Sequence, residues 1–512
     1  MALALTLSRA NQGIDAPLVS VETHLSNGLP AFTIVGLPEA AVKESRDRVR
    51  SAIINSHFEF PSRRITINLA PADLPKQGSR FDLAIALGIL AASGQLPKDK
   101  LRQYEFIGEL SLSGELRHVR GLLPALLKTD KARTMIVPLA NQAEASLPIN
   151  SAAIVATHIL QVCAHLNGSA EIAPLKKIEP PSRDRLEQDL ADVAGQPQAR
   201  RALEIAAAGG HNLLFSGPPG TGKTMLASRL GSLLPPLSEK FSIEVAAIQS
   251  LAGKVVDGSS WGRRPFRRPH HTASAVALVG GGSNPRPGEI SLAHRGILFL
   301  DELPEFDRKV LEVLREPLES GSITISRAAQ QVEYPAKFQL VAAMNPCPCG
   351  FFGDTRQSCS CSSAQLQRYK AKLSGPLLDR IDMHVNVSRL PTHMLLNNET
   401  AKSIETSSAV RKRVIRAQEI QFSHRKKMNA SLQASELIDA QWIEPEALGW
   451  LSSAIEKLGQ SARAFHRILR VARTIADLEI EKSAPTNRLS QLRVNTAHIK
   501  EALAFRQFTD RQ

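Results

Sequence analysis

No stretch of the 512 residues stays apolar long enough to cross a bilayer, so no membrane-spanning segment is expected. Residues Met1 to Arg9 carry no basic segment ahead of their apolar positions and no small-residue cleavage site. No export signal is therefore expected, and the expected compartment is the cytoplasm. Cysteine is scarce: there are five, and four crowd between positions 347 and 361, which argues against a disulfide scaffold. Aromatic residues make up only 4%, so any nucleic acid would be gripped by its backbone charge more than by stacked bases. Acidic residues are also short, 49 against 63 basic ones, for a net charge of +14. Two readings follow: a basic enzyme surface with no polyanion partner, or a nucleic-acid partner. The remainder is ordinary for a globular chain, with 43% hydrophobic and 22% charged residues, and the length implies about two to four domains.

What the chain does have is centred on Gly217-Pro218-Pro219-Gly220-Thr221-Gly222-Lys223-Thr224, a P-loop pattern. Backbone N–H groups must close around a phosphate chain, which requires glycines that accept positive φ and carry no side chain. Lys223 supplies a point charge for the β- and γ-phosphates of ATP, and the Thr224 hydroxyl can ligate Mg²⁺. The flanks agree. His211 to Phe215 reads as a buried strand, and Thr224 to Leu230 reads as a helix whose positive end faces the phosphates.

Downstream, Gly296 to Leu300 is a near-continuous apolar run, the pattern of a strand buried on both faces, and it ends in Asp301 and Glu302. Asp301 is placed to hold hydrated Mg²⁺, and Glu302 to polarise an attacking water. A further strand, Phe338 to Met344, ends at Asn345, whose amide could orient that water or the γ-phosphate. Arg380 lies between Asp379 and Asp382 and has two readings: a local ion-pair network, or a guanidinium reaching the ATP of a neighbouring subunit. The four clustered cysteines, Cys347, Cys349, Cys359 and Cys361, form two close pairs across a short loop and can hold structural zinc. Their C-x-C spacing departs from the commoner C-x₂-C, so metal-free thiols stay open as the alternative. Cys163 reads as core.

Residues 1–166 mix short strands (Ala31 to Val35, Arg64 to Leu69) with helices (Pro38 to Asn55, Phe81 to Ala92), a hairpin near 104–115, a helix near Gly121 to Thr129 and a strand at Thr134 to Val137. Residues 167–190, rich in Lys, Glu, Pro and Asp, read as an exposed linker. Residues 191–390 hold the motifs above, and residues 391–512 read as helical.

The order P-loop, Asp-Glu strand, Asn345, Arg380, Arg463 resembles that of AAA+ ATPases. Within them the chain resembles the magnesium-chelatase-like subgroup and its ComM/YifB family. The resemblance implies an α/β fold: an AAA+ P-loop NTPase core with a helical lid, preceded by a ribosomal-S5-like, Lon-like α+β domain. It also implies sensor 1 at Asn345, an arginine finger at Arg380 and sensor 2 at Arg463, with Arg467 as the replacement. A Lon peptidase needs a serine and a lysine. Here those positions fall at Arg80 and Leu123, so no peptidase activity is expected. Arg263, Arg264, Arg267 and Arg268, in the run up to His271, resemble the start of a helix-2 insert. Ile323 to Val332 resembles a pore-facing hairpin with Arg327 near its tip. Both read as DNA contacts, with packing between subunits or against nucleotide as the competing reading for the basic run. The family implies a hexameric DNA motor promoting branch migration during natural transformation. The alternative is a chelatase-type ATPase subunit acting on a protein partner.

Overall fold

The structure, a computed structural model, describes residues 2–147, 149–178, 188–282, 285–327, 330–354, 356–390, 405–439, 442–480 and 493–506. The sequence-predicted start of the lid at 391–404, the middle of the linker at 179–187, the hairpin tip at 328–329 and the side chain of Arg327 lie outside these residues.

The front part is built on a four-stranded sheet of order β1-β2-β4-β3, where β1 is Ala2–Arg9, β2 Leu18–Ser26, β3 Ala31–Val35 and β4 Arg64–Ala70. The helices Ala40–Asn55 and Asp82–Ala92 cover it through one apolar cluster. Asp82–Ala92 is apolar all round because it is buried on every side. The polar group at its start, Asp82, is satisfied by Ser45 and by Arg48 at 2.8 Å. The sequence reading assigned no strand to residues 1–30. The buried face of β1 carries Ala4, Thr6 and Ser8, which are small or hydroxylated, while the alternating leucines Leu3, Leu5 and Leu7 lie on the less buried face, so the pattern is not that of an apolar inward face. Thr6 is buried because its hydroxyl donates to the Ala84 carbonyl at 2.9 Å.

A second, parallel sheet, β5 (Tyr104–Phe106), β8 (Thr134–Pro138) and β9 (Ala152–Ala156), follows in the order β5-β8-β9. The expected hairpin near 104–115 is narrower than read: only β6 (Glu109–Leu110) and β7 (Leu116–Arg117) pair, while Tyr104–Phe106 joins the second sheet. The first part of the expected linker is also not free chain. Leu175 N–H bonds to Ala153 O at 2.8 Å and Ile178 N–H to Ser146 O at 2.8 Å, laying the segment along the front part.

The core is a five-stranded, all-parallel sheet of order β11-β14-β17-β10-β18: β11 Phe266–Arg267, β14 Ile297–Leu300, β17 Gln339–Met344, β10 Leu213–Ser216 and β18 Met383–Asn386. Period-two alternation divides its side chains between two apolar layers. Leu213, Phe215, Ile297, Phe299, Val341 and Ala343 face one layer, shared with helices Pro197–Gly209, Lys223–Leu233, Ser407–Arg425 and Ala462–Glu479. Leu214, Leu298, Leu300, Leu340 and Ala342 face the other, shared with the β15 (Ser322–Arg327) and β16 (Gln330–Pro335) hairpin. Both faces are covered, as an all-parallel sheet requires.

The front part docks on the core. Leu122, Leu123 and Leu126 share an apolar cluster with Ala246, Val256 and Trp261, and Gly121 N–H bonds to Ser250 O at 3.1 Å. Gly121 stands at positive φ, and a Cβ there would meet Asn11 Nδ2 at 2.4 Å, so only glycine fits this junction.

Candidate nucleotide site

Because the five strands run the same way, everything that follows them meets at one edge of the sheet, where such folds place ligands. The loop after β10 is 217–222, that after β14 opens with Asp301, and that after β17 opens with Asn345. Gly217 sits so close to Val387 that a Cβ would lie 2.2 Å from its carbonyl oxygen, and Gly220 and Gly222 adopt φ of +77° and +86°. Lys223 begins the following helix. Its ammonium donates to Gly217 O at 2.7 Å, Pro218 O at 2.8 Å and Asn345 Oδ1 at 3.1 Å. Burial lowers its pKa, and the charges of Asp301 and Glu302 oppose that shift.

Thr224 Oγ1 donates to Asp301 Oδ2 at 2.8 Å. Neighbouring ligands of an octahedral Mg²⁺ at 2.0–2.1 Å lie about 2.9 Å apart, so this hard-oxygen pair fits the ion. Glu302 has φ +54°, a left-handed conformation uncommon for a residue with a side chain and characteristic of functional sites. Its side chain is exposed, with His271 Nδ1 at 3.1 Å from Oε2.

Most of the basic run is engaged within the chain. Phe266–Arg267 is the edge strand β11 of the core sheet. Arg264 donates to Pro235 O at 2.7 Å and Arg295 O at 2.8 Å, and Arg267 forms a two-pronged pair with Glu289 at 2.6 and 2.7 Å. Arg268 reaches Asp301 Oδ2 at 2.7 Å and lies over the Phe299 ring. These three guanidiniums are committed within the chain, and Arg268 belongs to the nucleotide edge. Arg263 is exposed. The competing reading, packing against nucleotide, fits Arg268 and His271, which neighbour the two acidic residues. The available signal was a cationic run directly after a strand of the same sheet.

Arg380 does not pair with Asp379 or Asp382. Its guanidinium donates to Pro376 O at 2.6 Å and to Glu319, and among the described residues it makes no contact with the P-loop. Arg463 is exposed on the first turn of Ala462–Glu479 and likewise makes no such contact among the described residues. Arg467 is held by Asp382 at 2.6 Å. The structure thus brings Lys223, Thr224, Asp301, Glu302 and Asn345 together and leaves Arg380 and Arg463 outside that group. For Arg327 the backbone is a rung of the hairpin, paired with Gln330.

The four clustered cysteines converge, with all their sulfurs within 4.8 Å of one another. Cys347 Sγ lies 3.3 Å from Cys349 Sγ and 3.7 Å from Cys359 Sγ, and Cys349 and Cys359 are 3.5 Å apart. A disulfide needs about 2.05 Å. Four thiolates around zinc at about 2.3 Å would stand roughly 3.8 Å apart, so the set fits zinc and would leave no open position for catalysis. The knuckle leans on the P-loop: a Cβ on Gly350 would meet Pro219 Cδ at 2.7 Å. Protein purified with reductant is expected to carry about one zinc per chain by elemental analysis. Cys347→Ser should lose it, and a metal-free wild type that takes up none would refute the assignment. Cys163 is buried, which pushes its thiol up to about 12 and leaves it inert.

Three family profiles match the chain: Subunit ChlI of Mg-chelatase over residues 21–141, Magnesium chelatase, subunit ChlI over 189–395, and the ChlI C-terminal profile over 404–506. The chain is 50% identical to the competence protein ComM of Haemophilus influenzae, covering 99% of this chain and 98% of that one. It is 48% identical to YifB of Escherichia coli, covering 99% and 97%. The magnesium-chelatase 67 kDa subunit of Heliobacterium mobile is 26% identical across 38% of this chain and 30% of its own length. With near-complete coverage at half identity, and with a P-loop sheet ordered as described, the chain belongs to the ComM/YifB family of magnesium-chelatase-like AAA+ proteins.

Proposed function

We propose that the chain is an ATP-driven motor on single-stranded or branched DNA, working as a ring of identical subunits, in competence and recombination. The observation that carries the ATPase reading is the meeting of Lys223, Thr224, Asp301, Glu302 and Asn345 at one edge of a parallel sheet. The DNA reading is supported by the net charge of +14 and by a relative named for competence.

In this reading the P-loop amides and Lys223 bind the β- and γ-phosphates of ATP. Thr224 and Asp301 would hold Mg²⁺, which neutralises charge developing on the transferred phosphoryl group. Glu302 accepts the proton of the attacking water, and Asn345 orients it. Arg268 must leave Asp301, and His271 must release Glu302, for the site to load. Arg380, freed from Glu319, serves the ATP of the adjoining subunit. The β15–β16 hairpin transmits closure of that seam to DNA, with Arg327 as its phosphate contact. The domain limits 1–166, 167–190, 191–390 and 391–512 belong to the same proposal, with a Lon-like front lacking a peptidase dyad.

The test is ATP turnover against added DNA. Turnover should rise several-fold with single-stranded or branched DNA, and the stimulation should fall as salt is raised from 50 to 200 mM, because phosphate contacts release counterions. Indifference to DNA, with stimulation by a porphyrin-loaded protein partner instead, would favour the chelatase-type reading.

A further inference from the structure

Where the front part meets the core there is a cavity of about 500 Å³, far from the P-loop in sequence. Its walls carry three guanidiniums, Arg80, Arg120 and Arg286, against a single carboxylate, Glu109. Arg80 is 4% exposed. Its guanidinium donates only to neutral acceptors: Arg9 O at 3.2 Å, Asn11 Oδ1 at 2.6 Å, Arg120 O at 2.7 Å and Gly121 O at 3.1 Å. No carboxylate accepts from it directly, and the charge of nearby Glu144 offsets only part of the cost of its burial, which a bound anion would relieve. Burial pushes it down to about 10, so it stays charged at neutral pH. Glu109 is partly neutralised as an opponent, since it accepts from Ser79 and stands 3.9 Å from Arg117. Arg120 and Arg286 are exposed, with no ion pair among the described residues. The far wall includes Tyr334 of β16, whose hydroxyl is fixed on Pro285 O at 2.8 Å.

We infer that this cavity binds a phosphate ester, with Arg80 as the charged floor and Arg120 and Arg286 as the closing arms. Arg80, its fork already used within the chain, supplies charge, and the exposed forks of Arg120 and Arg286 supply donors that a phosphate has the charge and the oxygens to use. The volume suits one nucleotide unit, either free or within a strand. Occupancy would press on β16, and so on the hairpin, from a site on the other side of the domain junction.

The experiment uses the full chain with its P-loop saturated by Mg²⁺ and a non-hydrolysable ATP analogue. Inorganic pyrophosphate is titrated calorimetrically, and a fluorescent (dT)₁₂ is titrated by anisotropy. One additional pyrophosphate site is expected, weakened at least about tenfold in Arg120→Glu and in Arg286→Glu. Glu109→Gln should tighten it. Arg120→Gln and Arg286→Gln, compared by melting temperature, replace the charge reversals if either of those fails to fold. If (dT)₁₂ affinity falls in the same variants and pyrophosphate displaces it, the phosphate comes from a strand. If (dT)₁₂ is unaffected while the pyrophosphate site is lost, it comes from a free nucleotide. No second pyrophosphate site, or one unmoved by both substitutions, would overturn the inference. The readout is anion binding, so ATP turnover indifferent to DNA would sink the motor reading and leave this site standing.

Discussion

Glu302→Gln is expected to keep ATP binding within a few-fold of wild type while cutting turnover by about 10²- to 10⁴-fold, the usual contribution of a positioned general base. The amide preserves shape and cannot take the proton of a water. Its neighbours stay in place, because Asp301 is held independently by Thr224. Binding and turnover should therefore separate, which a merely structural role would not produce. Nucleotide affinity is read by equilibrium titration and turnover by phosphate release. A variant that keeps more than about a tenth of the wild-type rate would remove Glu302 from the proposed chemistry.

The second large effect concerns stability. Arg467→Ala is expected to cost about 3–5 kcal/mol, the usual penalty for stripping one partner from a buried ion pair. Asp382 is 4% exposed and accepts from Arg467 at 2.6 Å and from Asn212 N–H at 3.0 Å, with His211 Nδ1 at 3.7 Å. Burial alone would raise its carboxyl, but the nearby His211 ring, the Arg467 charge and the Asn212 N–H outweigh that and hold it well below the usual carboxylate range. The stabilisation is therefore complete above the unfolded value of about 3.9 and is lost as pH falls from there through the folded value. Denaturant titrations at pH 7 and at about pH 2.5 check both statements. A loss under about 1 kcal/mol at pH 7 would show that Asn212 and the histidine suffice without the arginine. The same measurement bears on Arg467 as a nucleotide sensor, since an arginine locked on Asp382 must break this pair before it can reach phosphate.

The P-loop, Asp301, Glu302 and Asn345 were legible because their chemistry fixes residue types over a few consecutive positions, each at the end of an apolar strand. Other features depend on contacts that no local pattern reports. Strand β11 has two residues, too few for any period, so the edge of the sheet within the basic run does not show. Glu319 lies 61 positions from the arginine it holds, and nothing near Arg380 announces it. The first strand hid because Thr6 and Ser8 occupy inward positions where apolar residues are the usual sign. Four cysteines in fifteen residues announced their convergence from spacing alone, because two close pairs on one loop have few other ways to pack.

Strand β10 sits between β17 and β18, so both of its hydrogen-bonding partners are made long after it, at 339–344 and 383–386. On a translating ribosome, at about 5–20 residues per second, the phosphate loop is therefore synthesised well before the chain that must hold it in shape. The front sheet, whose four strands all end by Ala70, suffers no such delay. Nascent protein is thus competent to fold its amino-terminal third while its catalytic half is still an open, sticky ribbon.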